Sequence, residues 1–270
     1  MPDERILVIK YGGNAMSNDD LKDEIVSRLS EAIHQGQKLV IVHGGGPYIQ
    51  KALTAAKIES EFIGGHRKTT KEALTHVEKT LKGEVNSDLV ARFNRQGVKA
   101  VGLSGKDGKT VVAKKRVLEG AHVHRDLGRV GDVKSVNPQL IKILLNNGYL
   151  PILTCIASDK DGTDYNVNAD IFAGHVAGAL EAKHLVVLTD VDGLMSDKDD
   201  PSSLFDELDL QKVEELKNQR VIVGGMLPKV EACATALHHG AKSAVILNGT
   251  VPYQLKKLLN EEPVGTTIKL

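Results

Sequence analysis

Along the chain, apolar residues gather into six short runs separated by longer stretches of a different period. The runs are ILVI (6–9), LVIV (39–42), KAVGL (99–103), YLPILTCI (149–156), HLVVLT (184–189) and SAVIL (243–247). Such continuous, β-branched and Leu-rich runs suit strands buried on both faces, as in a parallel sheet. Between them the period lengthens, and residues 21–35, 69–96, 138–147, 169–180 and 226–239 predict helices. In the last of these, Leu227, Val230, Ala234 and Leu237 fall at steps of three and four and make one apolar stripe. Strand and helix alternate almost throughout, which predicts an α/β fold with a mainly parallel central sheet covered by helices, a three-layer αβα sandwich.

Three segments interrupt the alternation. Residues 109–136 read as short antiparallel strands punctuated by glycine, and SDKDGTDYN (158–166) carries an Asp-Gly hairpin signal. Both predict β-ribbons laid over an edge of the sheet. MSDKDDPSSLFDE (195–207) is polar, contains an Asp-Pro turn signal and predicts a surface loop.

Composition narrows the classes. At 270 residues and 41% hydrophobic, the chain can bury a large core, yet it sits near the length at which one core divides into two lobes. Its 35 basic and 35 acidic residues cancel, and aromatic residues make up 3% with no Trp. Neither a polyanion-binding face nor a base-stacking platform is indicated, so nucleic acid is not an expected partner. Cys155 lies in an apolar run and Cys233 in a helical one, which predicts two buried thiols and no disulfide framework. The apolar run at 6–9 is too short for a signal-peptide core, and no stretch approaches the roughly 18 apolar residues of a membrane helix. The expectation is a soluble, cytoplasmic protein.

Candidate chemistry begins where strands hand over to helices. In VHGGGP, Gly44, Gly45 and Gly46 follow the second run directly, and a glycine-rich turn opening a helix is a natural anion site. KYGGNAM repeats the arrangement after the first run, with Lys10 ending the strand and Gly12 and Gly13 following, so the two turns predict one shared crevice. Asn166, Asn168 and Asp170 cluster where a turn enters an apolar helix, more polar groups than helix capping needs. GGMLPKVEAC again sets two glycines before a helix, with Lys229 off its apolar stripe and placed to reach a phosphate.

Other resemblances to known motifs fail. GKDGKT would need Gly at Leu103 to make a Walker A loop, and HRDL (124–127) has Gly131 where a protein-kinase catalytic loop needs Asn. His122 and His124, or His238 and His239, have no companions at a zinc spacing, so no protein-held metal is expected.

Taken together, KYGGNAM, VHGGGP, GHRKTT, VGLSGKDG, YNVNAD, LTDVDGLM, GGMLPKVEA and the terminal GTTI resemble the amino acid kinase family, most closely its acetylglutamate kinases, from Ile6 to Ile268. The resemblance implies two lobes sharing one continuous sheet, residues 1–181 for the amino-acid substrate and 182–270 for ATP. It implies Lys10 and Lys229 as catalytic lysines and Asp170 as the carboxylate that orients them. Gly44, Gly45, Arg67 and Asn166 would bind the substrate, N-acetyl-L-glutamate. Gly12, Gly13, Asp190, Val191, Asp192, Gly193, Leu194, Met195, Val221, Gly224, Gly225, Met226 and Lys229 would bind the nucleotide, with Mg²⁺ carried mainly by the ATP phosphates. One departure is Lys68 after Arg67, where acetylglutamate kinases commonly carry an apolar residue; Arg-Lys-Thr is similar also to kinases of carrier-linked aminoadipate in lysine biosynthesis, and a non-catalytic nucleotide or amino-acid sensor is a further alternative. With the first strand starting near Ile6, the extra N-terminal helix of the hexameric members has no room, which implies a homodimer.

Overall fold

A computed structural model describes residues 6–16, 18–117, 126–197 and 199–270. His122 and His124 lie outside the described residues. The elements in chain order are β1 (Ile6–Tyr11), α1 (Asp19–His34), β2 (Lys38–His43), α2 (Gly46–Ala55), β3 (Phe62–Ile63), β4 (His66–Arg67), α3 (Lys71–Glu78), α4 (Ser87–Arg95), β5 (Ala100–Ser104), β6 (Val111–Lys115) and β7 (Val130–Val136). They continue with α5 (Gln139–Asn146), β8 (Leu150–Thr154), β9 (Ile156–Ser158), β10 (Asp164–Val167), α6 (Ala169–Ala179), β11 (His184–Thr189), β12 (Glu207–Asp209), α7 (Leu210–Asn218), α8 (Leu227–His238), β13 (Ser243–Asn248), α9 (Pro252–Leu259) and β14 (Thr266–Lys269).

The six apolar runs become β1, β2, β5, β8, β11 and β13 of one eight-stranded sheet, in the order β12-β14-β13-β11-β1-β2-β8-β5. Its pairs are parallel except β13 with β14. Successive side chains on a strand point to opposite faces, and both faces are apolar. Ile6, Val8, Val40, Val42 and Val187 pack on one side with Phe172 and Val176 of α6 and Val230 and Leu237 of α8. Leu7, Ile9, Leu39, Ile41 and Val186 pack on the other with Ile25 and Leu29 of α1, Leu89 and Phe93 of α4 and Leu255 of α9. The sheet therefore lies between two helical layers and runs unbroken through the β1–β11 pairing.

Two elements differ from the expectation. The stretch predicted as one helix over 69–96 is α3 and α4 joined through a π-helical turn at Lys79–Asn86, which shifts the register of the buried face in a way that a fixed period cannot show. The predicted edge ribbons close on themselves: β6, β7, β10 and β9 form a small barrel of alternating antiparallel and parallel pairs. Closure leaves no unpaired edge, and glycines permit it, since a Cβ on Gly131 would come within 2.6 Å of Tyr165 Cβ.

Candidate active site

Lys10 is on the strand face that carries Ile6 and Val8, so its side chain is directed to the α6 side of the sheet. There the Asn168 side chain caps α6 by accepting from the N–H groups of Asp170 and Ile171, at 2.8 and 3.2 Å. Capping sets Asp170 in the first helical turn, where the helix dipole favours a carboxylate. Asp170 Oδ1 lies 3.0 Å from Lys10 Nζ and Oδ2 lies 3.8 Å from Lys229 Nζ. Lys229 reaches in from α8 and also donates to the Gly225 carbonyl oxygen at 3.1 Å. The three side chains are 9%, 9% and 18% exposed for Asp170, Lys10 and Lys229, so the charges meet largely out of water. Two ammonium groups from opposite ends of the chain are thus held by one carboxylate.

A cleft of about 270 Å³ opens beside Lys10 and Asp170 and is also lined by Gly44, Gly45, Arg67 and Asn166. Gly12 and Gly13, expected among the nucleotide contacts, border this same cleft. The two glycine turns are stitched together, since the Gly44 N–H donates to the Tyr11 carbonyl oxygen at 3.0 Å. That bond takes up one of the two backbone donors expected to face a substrate. Gly45 and the first N–H groups of α2, which have no acceptor inside their own helix, are the donors that remain. At Gly45 a Cβ would crowd the Leu81 side chain, 2.7 Å from its Cδ2, whereas at Gly46 a Cβ would meet nothing within 4 Å. Bare backbone at Gly46 suits the approach of a ligand.

Arg67 sits on the β3–β4 hairpin, whose Gly64-Gly65 turn has φ of 56° and 79°, the left-handed conformation that a two-residue hairpin needs. It donates to Gln50 Oε1 at 2.7 Å and to Ser60 Oγ, and its guanidinium stacks 4.6 Å from the centre of the Phe62 ring. Burial pulls the Arg67 pKa below its usual value. Lys68 pairs with Glu61 at 3.0 Å along the hairpin and is not among the residues lining the cleft. Asn166 Nδ2 is 3.5 Å from Thr69 Oγ1, and its N–H donates to the Arg129 carbonyl oxygen at 2.9 Å.

A second cleft, of about 580 Å³, is lined by Val191, Gly193, Leu194, Met195, Val221 and Met226 among others. Six of the expected nucleotide residues therefore share one apolar groove. Ile222 and Val223 of the expected 221–229 nucleotide segment line it too, and so does Arg220, which was not read from the sequence. Asp190, Asp192, Gly224 and Gly225 are not among the lining residues. Asp192 instead ties its loop down, accepting from Asn248 Nδ2 at 3.0 Å and Gln254 Nε2 at 2.7 Å. The loop is also fixed by Leu194 N–H donating to Thr266 Oγ1 at 2.8 Å, which gives the terminal GTTI a structural task.

Two buried residues behind the glycine turn were likewise not singled out by sequence. His43 Nδ1 is 2.8 Å from the Gly44 carbonyl oxygen, and its Nε2 is 2.9 Å from Asn86 Nδ2. Their only signal is a polar side chain closing an otherwise apolar strand directly before the glycines. The thiols are buried as expected: burial pushes Cys155 up to about 12 and raises Cys233 as well, so neither is a nucleophile.

The sequence profile of the amino acid kinase family matches residues 5–248. The acetylglutamate kinase of Methanococcus aeolicus is 44% identical over 267 residues, covering 97% of this chain and 91% of that protein. The crystal structure of smu.665 from Streptococcus mutans is 29% identical with a TM-score of 0.80, covering 98% of this chain and 99% of that one. Carbamate kinase from Giardia lamblia bound to AMP-PNP shares the fold at a TM-score of 0.70 and 18% identity, covering 100% of this chain and 99% of that one.

Proposed function

The chain belongs to the amino acid kinase family, and from that premise we infer that it is an acetylglutamate kinase, transferring the γ-phosphoryl group of ATP to the side-chain carboxylate of N-acetyl-L-glutamate in arginine biosynthesis. The observation that carries the reading is Asp170 standing between Lys10 at 3.0 Å and Lys229 at 3.8 Å beside a cleft.

The acceptor carboxylate has an ordinary pKa of about 4, so it arrives ionised and needs no general base. One of its oxygens attacks the γ-phosphorus; the new O–P bond forms as the bond to the β,γ-bridging oxygen breaks, and ADP leaves with the electron pair. The barrier is then one of positioning two anions and stabilising charge on the migrating phosphoryl oxygens. Lys10 and Lys229 neutralise that charge from two sides, while Asp170 keeps the two ammonium groups together against their mutual repulsion. The Gly45 N–H and the open turn of α2 add backbone donors. Arg67 offers a planar fork for the substrate α-carboxylate, and Asn166 a further polar contact. Mg²⁺ on the ATP phosphates would supply additional neutralisation. Among the described residues no group of three His, Cys, Asp or Glu side chains is placed to hold a metal, so the phosphates would be its main ligands.

The division of labour is residues 1–181 for the amino acid and 182–270 for the nucleotide. It is supported by a first cleft lined by residues up to Asp170 and a second lined from Val191 onward. No helix among the described residues is long and apolar enough to cross a membrane, and a cytoplasmic homodimer completes the proposal. Lys68, the departure that pointed to carrier-linked aminoadipate, is engaged with Glu61 and does not line the cleft. An ADP-release assay with acetylglutamate, glutamate, aminoadipate and UMP tests the reading. Acetylglutamate is expected to give the highest kcat/KM; preference for another acceptor, or ATP binding without turnover, would overturn it.

A further inference from the structure

Resting on that reading, we propose that His43 is a positioning residue that aims the Gly45 N–H into the cleft by holding the Gly44 carbonyl oxygen away from it, and that Asn86 sets the His43 tautomer this requires.

The proton assignments follow from what each partner can do. Asn86 Nδ2 is 2.9 Å from the Ile152 carbonyl oxygen and 2.9 Å from His43 Nε2. A backbone carbonyl only accepts, so the Asn86 atom facing it is the amide nitrogen, and both of its protons are given away. His43 Nε2 must then accept, which places the single proton of a neutral ring on Nδ1, where it donates to the Gly44 carbonyl oxygen at 2.8 Å. His43 is fully buried, and burial holds its pKa down to about 4, so the ring is neutral at working pH.

A trans peptide points its C=O and N–H in opposite directions. Fixing the Gly44 carbonyl on the His43 side therefore turns the Gly45 N–H to the other side, and Gly45 borders the cleft. Because the Gly44 N–H is already given to Tyr11, the Gly45 N–H is the donor of this turn whose direction decides whether an oxyanion is met. Asn86 is itself held by its two hydrogen bonds to Ile152 and His43, and a Cβ at Gly102 would lie 2.0 Å from its Oδ1. Gly102 thus leaves the room in which the amide stands, and the π-helical turn ends on it.

The test combines a spectroscopic and a kinetic readout on the full chain. In a long-range ¹H–¹⁵N spectrum at pH 7, with His43 assigned by comparison with His43→Asn, the ring is expected to be protonated at Nδ1 alone; an Nε2–H tautomer overturns the proposal. His43→Leu removes the donor and is expected to lower kcat by tenfold or more, with KM for acetylglutamate and ATP within about threefold. His43→Asn sets an amide donor near the Nδ1 position and should recover about tenfold of that loss, which a residue needed only for packing would not do. Equal kcat in the two variants, or a loss confined to KM, overturns it. If His43→Leu does not fold, the tautomer and the kcat of His43→Asn, expected within about tenfold of wild type, decide. Wild-type protein that turns over no acetylglutamate defeats the kinase reading instead, and the tautomer measurement separates the two failures.

Discussion

Gly174 of α6 stands against the backbone of Ala232 of α8 so closely that a Cβ on Gly174 would come within 2.5 Å of the Ala232 carbonyl oxygen. One turn further along α6, a Cβ on Gly178 would meet His239 Cβ at 2.4 Å. These two helices carry Asp170 and Lys229 at their N-terminal turns, so their close crossing sets the gap between carboxylate and ammonium. Gly174→Ala would push them apart. Overpacking of this kind costs about 1–3 kcal/mol, and in a chain of this size each kcal/mol lowers Tm by roughly 2–4 °C. The variant should melt several degrees lower and lose kcat more than it gains KM, measured well below its Tm. Full kcat despite the lower Tm would show that this spacing does not govern the site.

Replacing Lys10 or Lys229 with Ala should each cut kcat by about 10²-fold or more, the scale of removing a transition-state donor. Asp170→Asn keeps the shape of the side chain but removes the charge that holds both amines. It should lower kcat with little change in either KM, because its partners are lysines and not substrate. Steady-state kinetics with both substrates varied separates these cases. Near wild-type kcat in Lys229→Ala would remove that lysine from the reaction.

The two lysines are legible in the sequence because each lies beside a pair of glycines, Lys10 at the end of a strand before Gly12 and Gly13, and Lys229 in the first turn of a helix after Gly224 and Gly225, a pattern that neighbouring residues carry by themselves. The strands are legible for the same reason: β1, β2, β8, β11 and β13 are unbroken apolar runs. The barrel is not, because β9 and β10 are 3 and 4 residues long and their pairing is decided by distant contacts such as that of Gly131 with Tyr165. His43 and Asn86 are hidden in the pattern because a π-helical turn moves Asn86 onto the buried face out of step with its neighbours. The motif gives Gly44 a substrate contact, and the competing acceptor at Tyr11 comes from the adjoining strand.

Arg67 is expected to act on binding. A hydrogen bond to a charged group is worth about 1.5–3 kcal/mol, so Arg67→Ala should raise KM for acetylglutamate roughly 10- to 100-fold with a smaller change in kcat. Arg67→Lys should not restore it, because a single ammonium cannot offer the planar pair of donors. An unchanged KM in Arg67→Ala would mean that the α-carboxylate is held elsewhere.

The neighbouring Lys68 should behave oppositely. Its exposed pair with Glu61 is worth at most about 1 kcal/mol, and Lys68→Leu should leave the order of preference among acceptors and the KM for acetylglutamate unchanged within about twofold. A switch toward aminoadipate, or away from it, in the acceptor screen would give this position a role in selectivity.

Acid should destabilise the protein through one buried imidazole and two half-buried ones. His43, His175 and His184 are all held down to about 4, each first by burial, with His239 adding to the effect at His175 and Lys183 at His184. In the unfolded chain these rings bind a proton near pH 6.5. Between pH 6.5 and 4 the unfolded state therefore binds more protons, so their contribution is complete above 6.5 and disappears as the pH falls toward 4. For fully buried His43 the upper bound is roughly 3 kcal/mol. Urea unfolding at pH 7.5, 5.5 and 4.5 should show the wild-type midpoint falling more steeply with acid than that of His43→Asn, which has no ring to protonate. Parallel midpoint curves for the two proteins would mean that the His43 ring accepts a proton as readily when folded as when unfolded, and the buried, single-tautomer arrangement behind the glycine turn could not then stand.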